Sequence, residues 1–464
     1  MPLRKPPYRT WVALMVMFTT AVNYNFRTFF PVALIAIVDK PKSQTLDNGT
    51  VISVPQPDYG PRYSWKPHEE GQLIGSYFYG YTFGSLIGGP TTEFFGPYWT
   101  MLTSTFICAA ITSLSVLVVM ESWIPLFVTR VLVGLVGGVQ YPALQCLIGR
   151  WAPPNEKGKF VACLMGNVLG TVITQSITGV IVSNFGWNWG FFSTAFITVV
   201  YLTLWAIIVA DSPEKSWLCS KEEVEYISEC HQGSVKATRS KKPPIRQMAT
   251  SIPFLVLIVF QFGNLWGLYM LLTVVPKFMS DVLEFNLKSV GFLSSCPSLA
   301  RLVFGFVFGG IADFLLQREI LPKVVVRKGF AVISHVLPGV TLFMFLVIGK
   351  TVWLAVLLLV LVMVFNGAAV VTCLVNAQDL APNFAGTQYG IMSFIGSMSG
   401  FIVPAIAAEA TREKNDLAHW AIVFCISGAL YAGCGIVFIL FGSVTIQPWN
   451  EKADTESAPT TANT

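Results

Sequence analysis

The sequence predicts an all-α membrane protein in which twelve transmembrane helices form two pseudo-symmetric six-helix halves. Three observations support this class: few charged residues, a repeated apolar pattern and an internal duplication. Of the 464 residues, 53% are hydrophobic and 12% are charged, and the mean hydropathy is +0.61. Soluble globular proteins carry about 25% charged residues. A chain of this length and composition therefore has to cross a bilayer several times.

Apolar segments long enough to span a bilayer alternate with polar or Pro/Gly-rich breaks along the chain. The N-terminal half, 1–211, and the C-terminal half, 250–443, each contain six of them. A cytoplasmic linker, 212–249, joins the halves, and a cytoplasmic tail, 444–464, is predicted to be disordered. The first segment is too long for the apolar region of a signal peptide, so we expect it to be retained. The predicted spans are 10–38, 71–93, 98–120, 124–150, 158–184, 189–211, 250–276, 288–315, 322–348, 351–376, 384–410 and 419–443.

The distribution of Lys and Arg predicts that both termini are cytoplasmic. In that orientation 18 of the 30 basic residues lie on the cytoplasmic side, nine lie on the other side and three lie inside spans. The net charge of +5 does not indicate nucleic-acid binding, because the basic residues occupy short loops between apolar segments. The loop 39–70 is then extracytoplasmic, and Asn48 in Asn48-Gly49-Thr50 is a candidate glycosylation site. The plasma membrane is the default location, with a vesicular or lysosomal membrane as the alternative.

Two sequence landmarks recur in the same order, six spans apart, which predicts a parallel duplication of a six-helix unit. Gly71 precedes Gly88 by 17 residues in span 2, and Gly291 precedes Gly309 by 18 residues in span 8. An Ala-Pro pair then follows both span 4 and span 10. The expected role is structural, because paired glycines let helices approach closely and an acid at a helix end can hold a loop. The residues expected to act in packing or gating are Gly88, Gly89, Gly134, Gly138, Gly309, Gly310, Asp313, Asp379 and Arg130.

Arg27 lies inside the first span, where a charged side chain costs about 3 kcal/mol on insertion scales. It shares a helix face with Asn23 and Tyr24. No intramembrane acid is placed by the sequence to neutralise it. An unpaired guanidinium binds carboxylate or phosphate through its planar fork, so we expect Arg27 to bind an anion. The alternative is a structural arginine that donates hydrogen bonds to backbone carbonyls.

Two further arginines lie inside spans. Arg130 begins the pattern Arg130-x3-Gly134-x3-Gly138, which suits helix packing, so a structural role is favoured. Arg301 lies ten residues after Gly291, as Tyr81 lies ten residues after Gly71 in the other half. Arg301 either adds positive potential to a binding cavity or has a structural role. The acids of the spans fall near span ends, so no carboxylate is evident that would titrate during proton-coupled transport.

Short motifs occur in a fixed order along nearly the whole chain. They are Asn25-Phe26-Arg27, Gly71-Gln72-Leu73-Ile74-Gly75-Ser76-Tyr77-Phe78-Tyr79-Gly80-Tyr81, Tyr141-Pro142-Ala143, Trp151-Ala152-Pro153-Pro154-Asn155-Glu156, Asn264-Leu265-Trp266-Gly267-Leu268-Tyr269, Gly291-Phe292-Leu293-Ser294-Ser295, Ala312-Asp313, Asp379-Leu380-Ala381-Pro382 with Ala385-Gly386, and Gln447-Pro448-Trp449. Together they resemble the anion transporters of the major facilitator superfamily that include sialin, the vesicular glutamate transporters and the type I sodium–phosphate cotransporters. The resemblance implies the major facilitator fold and transport of a small anion.

Functional residues of that family carry over by motif position. Arg27 matches the substrate-binding arginine of span 1, and Tyr81 and Tyr269 match tyrosines that line the binding cavity. Asn264 occupies a site in span 7. With the residues singled out from the spans themselves, we expect a substrate site formed by Arg27, Tyr24, Asn25, Tyr81, Asn264, Tyr269 and Arg301.

The chain also departs from the family pattern at three positions. Glutamate-carrying members have a second arginine where this chain has Asn264, and a histidine where it has Ile74. The span-4 acid linked to proton coupling is replaced in Val136-Gly137-Gly138, where Gly137 stands at its position. These departures argue against a dicarboxylate such as glutamate and against proton-driven export of sialic acid.

The expected function is secondary active transport of inorganic phosphate or an organic monocarboxylate by alternating access, driven by sodium or the membrane potential. The alternatives are a proton-coupled, sialin-like organic anion transporter and a non-transporting anion sensor with a transporter fold. No constellation of His, Asp, Ser or Cys lies at a membrane face, so an enzyme is not expected. No cofactor or metal is expected beyond a co-transported Na⁺ or H⁺. The expected partners are the anion and the lipid bilayer, with no nucleic acid, and the protein is expected to be a monomer.

Overall fold

A computed structural model describes residues 7–39, 42–45, 51–54, 58–119, 122–153, 160, 163–235, 244–347, 351–381 and 385–450. Almost all of the described secondary structure is helical. In the N-terminal half and linker the helices are α1 (Tyr8–Ile37), α2 (Pro67–Phe95), α3 (Pro97–Leu114), α4 (Ile124–Gly138), α5 (Gln140–Trp151), α6 (Gly166–Phe185), α7 (Trp187–Ile208), α8 (Lys221–Val235) and α9 (Ile245–Thr250). In the C-terminal half they are α10 (Ile252–Thr273), α11 (Val275–Asp281), α12 (Leu287–Gln317), α13 (Lys323–Ala331), α14 (Leu337–Phe343), α15 (Val352–Asn366), α16 (Val375–Leu380), α17 (Ala385–Ser397), α18 (Ser399–Ala410) and α19 (Leu417–Phe441).

Ten helices in the described part of the chain are long and apolar enough to cross a membrane. α1 and α2, with 30 and 29 residues, are also long enough, since each residue adds about 1.5 Å of rise. Both carry charged or amide side chains, which lower their hydropathy. With these two, the helices agree with the twelve predicted spans. The chain is therefore a multi-pass, all-α membrane protein.

The predicted loop 39–70 contains a short two-stranded β-sheet. Strands β1 (Lys42–Thr45) and β2 (Val51–Val54) pair antiparallel in this loop. The candidate glycosylation site at Asn48 lies outside the described residues, so it stays a prediction. Residues 444–450 of the tail predicted to be disordered are ordered, since Pro448–Asn450 forms a 3₁₀ helix and Trp449 is buried. Beyond residue 450 the predicted disorder stays a prediction.

Several spans are interrupted helices rather than continuous ones. The fourth predicted span breaks at Val139 between α4 and α5, and the seventh breaks at Val274 between α10 and α11. Pro276 explains the second break, because it is the second residue of α11 and lacks a backbone N–H to continue the ladder. In the ninth and tenth spans, five-residue π-helical segments, Val332–Val336 and Val370–Leu374, interrupt the α-helices. Such segments are frequent near functional sites.

The described chain forms two compact units, each of which combines several segments. Unit 1 comprises Met1–Ile227, Tyr269–Leu299 and Gly400–Val423. Unit 2 comprises Ser228–Leu268, Ala300–Ser399 and Phe424–Thr464. Unit 1 therefore contains α1 to α7 together with parts of the C-terminal half. The predicted division into two sequence halves stays a prediction.

Glycines set the distance between α2 and α4 in unit 1. A Cβ atom at Gly138 would lie 2.7 Å from the backbone oxygen of Tyr81, and one at Gly134 would collide with the backbone oxygen of Tyr77. α2 and α4 therefore touch backbone to backbone at Gly134 and Gly138, as small residues allow. Gly88 of α2 instead faces α5, where a Cβ would lie 2.7 Å from the Pro142 ring.

The close helix contact predicted for the other paired glycines is not found. A Cβ at Gly89, Gly309 or Gly310 would meet no atom of the described residues within 4 Å. In α12 the close approach is made at Gly305 instead, whose nitrogen would lie 2.9 Å from a Cβ at Gly367. Gly305 and Gly309 are four residues apart and share one face of α12, so spacing identified the face but not the turn at which the neighbouring helix comes close.

The linker helix α8 holds the start of α1. One oxygen of Glu223 accepts a hydrogen bond from the backbone N–H of Tyr8 at 2.8 Å, and the other accepts from the N–H of Arg9 at 3.0 Å. The carboxylate also pairs with the Arg9 guanidinium at 3.1 Å. A negative charge at a helix N-terminus satisfies free N–H groups and complements the helix dipole. Part of the predicted polar linker is thus an ordered element of unit 1.

Candidate anion-binding site

Arg27 lies in a cage of aromatic rings in unit 1. Its side chain is on α1 and the residue is only 3% exposed. The guanidinium carbon is 4.3 Å from the ring centre of Tyr24, 4.5 Å from Tyr81 and 5.1 Å from Tyr77. Aromatic faces attract cations, and the attraction grows when water is excluded. The cage therefore stabilises a buried positive charge without cancelling it.

A chain of polar side chains fixes the position of the Arg27 guanidinium. Its Nη2 donates to Oδ1 of Asn23 at 2.6 Å and lies 3.5 Å from the Tyr77 hydroxyl. Asn23 in turn donates from Nδ2 to Oε1 of Gln140 at 2.7 Å. Gln140 donates from Nε2 to the hydroxyl of Thr105 at 3.1 Å. The chain thus runs from α1 through α5 to α3, and it holds one edge of the guanidinium.

Arg27 forms no ion pair with any carboxylate of the described residues, and its Nε is buried without a hydrogen-bond partner there. Burying an unpaired charge is costly unless a counter-charge or hydrogen bonds compensate. The neighbours of Arg27 are neutral hydroxyls, amides and rings. The cage is therefore electrostatically suited to bind an anion.

Two other predicted site residues of unit 1, Tyr269 and Asn25, differ in whether they join the aromatic cage around Arg27. Tyr269 packs on Phe78 with ring centres 4.4 Å apart, and Phe78 lies 6.0 Å from the Arg27 guanidinium. Tyr269 thus extends the aromatic cage. Asn25 does not join it, because its Oδ1 accepts from the hydroxyl of Thr194 at 3.3 Å and its Nδ2 has no partner among the described residues. Asn25 lies two residues before Arg27 in α1, and residues two apart in a helix point to different faces.

Arg130 makes the contact expected of a structural arginine. Its Nη2 donates to the backbone oxygen of Phe26 at 2.7 Å, and its guanidinium lies 4.5 Å from the ring centre of Phe30 and 5.3 Å from that of Phe29. The residue is 1% exposed. The side chain therefore ties α4 to the main chain of α1 beside the cage.

Unit 2 contains a second buried polar group, which joins the predicted residues Asn264 and Arg301. The Nε of Arg301 donates to Oδ1 of Asn366 at 2.7 Å. Asn366 donates from Nδ2 to Oδ1 of Asn264 at 3.0 Å and to the Tyr431 hydroxyl at 3.1 Å. Asn264 lies 3.4 Å from Oε1 of Gln261.

Sequence reasoning missed several residues of these two groups. Tyr77 and Gln140 in unit 1, and Asn366 and Tyr431 in unit 2, had no predicted role. All four carry a polar group inside an apolar span, which was the available signal for them. Their partners lie far away in the sequence, and the pattern of one helix does not indicate them.

Three acids of the described chain that lie at or near span ends, Asp379, Asp313 and Glu70, are paired or exposed. Asp379 is held by Arg327 at 3.0 Å and Lys323 at 2.6 Å at the end of α16, as expected of an acid with a structural role. Asp313 is exposed. Glu70, which was not predicted to act, forms a buried ion pair with Lys277 at 2.5 Å, with side chains 5% and 10% exposed.

Comparison with known proteins identifies related sequences and folds. A family model described as Major Facilitator Superfamily matches residues 12–404. The chain is 30% identical to sialin of Ovis aries over 447 residues, which cover 94% of this chain and 90% of sialin. It is also 30% identical to vesicular glutamate transporter 2 of Mus musculus over 469 residues, which cover 97% of this chain and 76% of that protein.

Solved structures share the fold at low sequence identity. One is a bacterial homologue of the human lysosomal transporter Spinster in an inward-facing, unoccupied conformation, with a TM-score of 0.67 and 14% identity over 95% of this chain and 99% of that one. Another is the inward-open xylose transporter XylE of E. coli, with a TM-score of 0.66 and 12% identity over 94% and 96% of the two chains. At these identities the likeness shows the fold alone.

Proposed function

Because the chain belongs to the major facilitator superfamily, and within it to the family of sialin and the vesicular glutamate transporters, we propose that it transports small anions by alternating access. The observation that carries this proposal is Arg27, a buried cation in an aromatic cage with no carboxylate partner in the described chain. Such a charge is a natural receptor for an anion that leaves water.

In this proposal the guanidinium of Arg27 binds the negative charge of the substrate. Tyr24 and Tyr81 shape the cage around it, and Tyr269 closes the cage through its contact with Phe78. Asn23 holds the guanidinium edge that does not face the anion. Asn25 is left out of the site, since it faces Thr194.

The substrate class that the chain favours is inorganic phosphate or an organic monocarboxylate, with sodium or the membrane potential as the driving force. Support comes from Asn264, where glutamate-carrying members of the family have an arginine by motif position, and from Gly137, where the family has an acid. The alternative is proton-coupled transport of organic anions, as the resemblance to sialin implies. A non-transporting anion sensor is the second alternative.

Replacement of Arg27 tests the proposal. Arg27→Ala should reduce anion uptake at least 100-fold, because loss of a charged hydrogen-bond donor in a buried site costs about 3 kcal/mol. Arg27→Lys should retain part of the activity, since it keeps the charge but loses the fork. Uptake and surface expression are to be measured together in cells.

The matched control is Arg318→Ala, which removes one positive charge from a residue that contacts the Phe314 ring beyond the end of α12. This variant should transport like the wild type. Undiminished uptake by Arg27→Ala at normal surface expression would contradict the site assignment.

A further inference from the structure

One edge of the Arg301 guanidinium forms no hydrogen bond or ion pair with any residue of the described chain. Its Nε is used by Asn366 at 2.7 Å, and no hydrogen bond or ion pair joins its Nη1 or Nη2 to a described residue. Arginine has five N–H donors, so four remain. The side chain is partly exposed, whereas Asn366 is fully buried. The free edge is therefore the one that a bound molecule can reach.

The chemistry of Asn366 fixes the direction of Arg301. Because arginine only donates hydrogen bonds, the amide oxygen of Asn366 has to face it. The amide nitrogen then donates to Asn264 and to the Tyr431 hydroxyl, which uses both of its N–H groups. All the donors and the acceptor of this amide are engaged. A fully satisfied buried amide has one orientation, so it holds the guanidinium in one direction.

Tyr431 makes this support rigid. It is fully buried, and its ring and hydroxyl pack so closely on Gly267 that a Cβ there would collide with them. The support therefore connects α10, α12, α15 and α19 through Gly267, Arg301, Asn366 and Tyr431. Of these buried side chains, Asn366 alone bonds to Arg301, at its Nε, and Asn264 and Tyr431 act by holding Asn366.

Arg327 of the same unit, in contrast, has its charge neutralised by a carboxylate. Its Nε donates to Asp379 at 3.0 Å, and its Nη1 donates to the backbone oxygen of Val371 at 2.8 Å. Lys323 shares the same carboxylate at 2.6 Å. Arg301 differs because its only partner is a neutral amide, so its charge is not cancelled.

We propose that Arg301 is a second anion-binding residue, which binds an oxyanion through Nη1 and Nη2, and that Asn366 is its positioning residue. Two parallel N–H groups match the two oxygens of a carboxylate or phosphate and not a single halide ion. The inference rests on the proposed function, because the oxyanion is the transported substrate. It makes Arg301 and Asn366 residues that determine specificity.

The proposed role of Arg301 can be tested with the purified full-length protein. The test asks whether anions raise its melting temperature in a saturable way. The probes are the sodium salts of phosphate, gluconate, glutamate and chloride at constant ionic strength. A ligand that binds only the folded state raises the melting temperature with saturation. General exclusion of salts from the surface does not saturate. The measured quantity is the half-saturating concentration of each oxyanion that stabilises the wild type.

Arg301→Gln should raise that concentration about tenfold or more, since a charge-assisted bidentate contact is lost. Arg301→Lys should give a smaller increase, because it keeps the charge. Asn366→Asp keeps the size of the side chain but places a carboxylate against Nε, so it should weaken oxyanion binding although Arg301 is present. A purely structural role would lower the melting temperature without ligand and leave the half-saturating concentration unchanged. Arg318→Gln is the charge-matched control and should behave as the wild type.

The outcomes separate this inference from the proposed function. In one outcome, Arg27→Ala loses the saturable rise in melting temperature, whereas Arg301→Gln keeps its half-saturating oxyanion concentration within twofold of the wild type. Arg301 is then not an anion-binding residue, and only this inference fails. If Arg301→Gln alters the response to chloride alone, Arg301 binds a halide and the inference is again wrong. If no anion stabilises the wild type with saturation, the proposed function fails and this inference fails with it.

Discussion

Arg27, Arg130 and Arg301 all lie in apolar helices, but each guanidinium has different partners. Arg130 donates to a main-chain oxygen and links two helices. Arg27 and Arg301 donate to the amide oxygens of Asn23 and Asn366 instead. Main-chain and side-chain amide oxygens are both neutral, so none of the three charges is cancelled, and Nε and Nη1 of Arg130 are buried without a hydrogen-bond partner in the described chain. Arg130 differs in that its partner oxygen belongs to the main chain of α1, and this contact favours a structural role for it.

Gln140 is expected to act on the anion indirectly, through Asn23 and Arg27. Gln140→Met keeps a similar side-chain length but removes the acceptor at 2.7 Å from Asn23. Loss of one partner of a buried hydrogen bond costs about 1–3 kcal/mol, which is about five- to 150-fold in affinity. We expect the half-saturating anion concentration in uptake assays to rise within this range, with a smaller change in the maximal rate.

Gln247→Met is the control for that variant, because Gln247 is exposed on α9. It should leave both parameters unchanged. A half-saturating concentration for Gln140→Met within twofold of the wild type would show that Asn23 holds Arg27 without help from Gln140.

Contacts between helices of unit 1 place the backbones of distant segments side by side. A Cβ at Gly71 would lie 2.6 Å from the Cβ of Ala408 and 2.9 Å from the backbone oxygen of Pro404. The rings of Tyr79 and Phe401 stack with centres 4.3 Å apart. α2 and α18 therefore fit closely. In the predicted orientation, these contacts lie at the extracytoplasmic ends of both helices, and we expect them to hold that side closed.

The buried ion pair of Glu70 and Lys277 lies beside these contacts and should stabilise the closed arrangement. Breaking a buried pair from one side leaves an uncompensated charge and costs about 3–5 kcal/mol. Lys277→Gln should therefore favour opening of the extracytoplasmic side. Labelling of a cysteine introduced at Thr411, which is 4% exposed and lines a small cavity with Lys277, by a membrane-impermeant maleimide measures the opening.

The charge-swapped double variant Glu70→Lys/Lys277→Glu is the control, since it restores an ion pair at the same place. It should label as slowly as a protein with the native pair. Equal labelling of Lys277→Gln and the native pair would show that the apolar contacts of α2 and α18 close this side without the ion pair.

The whole protein is expected to couple anion movement to sodium. Among the described residues, the buried acids Glu70 and Asp379 are both held in ion pairs, so neither is available as a proton-coupling group without losing its partner. Phosphate uptake by cells that express the protein should therefore be saturable and should fall when external sodium is replaced by choline. Cells with the empty vector give the background.

Uptake that persists without sodium and follows the membrane potential would favour a potential-driven carrier. Uptake that follows an imposed proton gradient would favour the sialin-like alternative instead. No phosphate uptake in any condition would turn the search to organic monocarboxylates.

The fold class and the presence of a buried cation at Arg27 followed from the sequence. Both depend on local properties: hydropathy over about 20 residues decides whether a segment spans a bilayer, and a charge in such a segment stands out without any other information. Motif order along the chain added the family, which the matches to sialin and the vesicular glutamate transporters bear out.

Only the tertiary structure decided which polar groups meet. Gln140 lies 117 residues from Asn23, and Asn366 lies 65 residues from Arg301. Glu70 and Lys277 are 207 residues apart. Such pairs depend on how each helix is rotated about its axis and where its interruptions fall. Hydropathy does not specify these features, because helix packing is decided by the shapes of facing side chains.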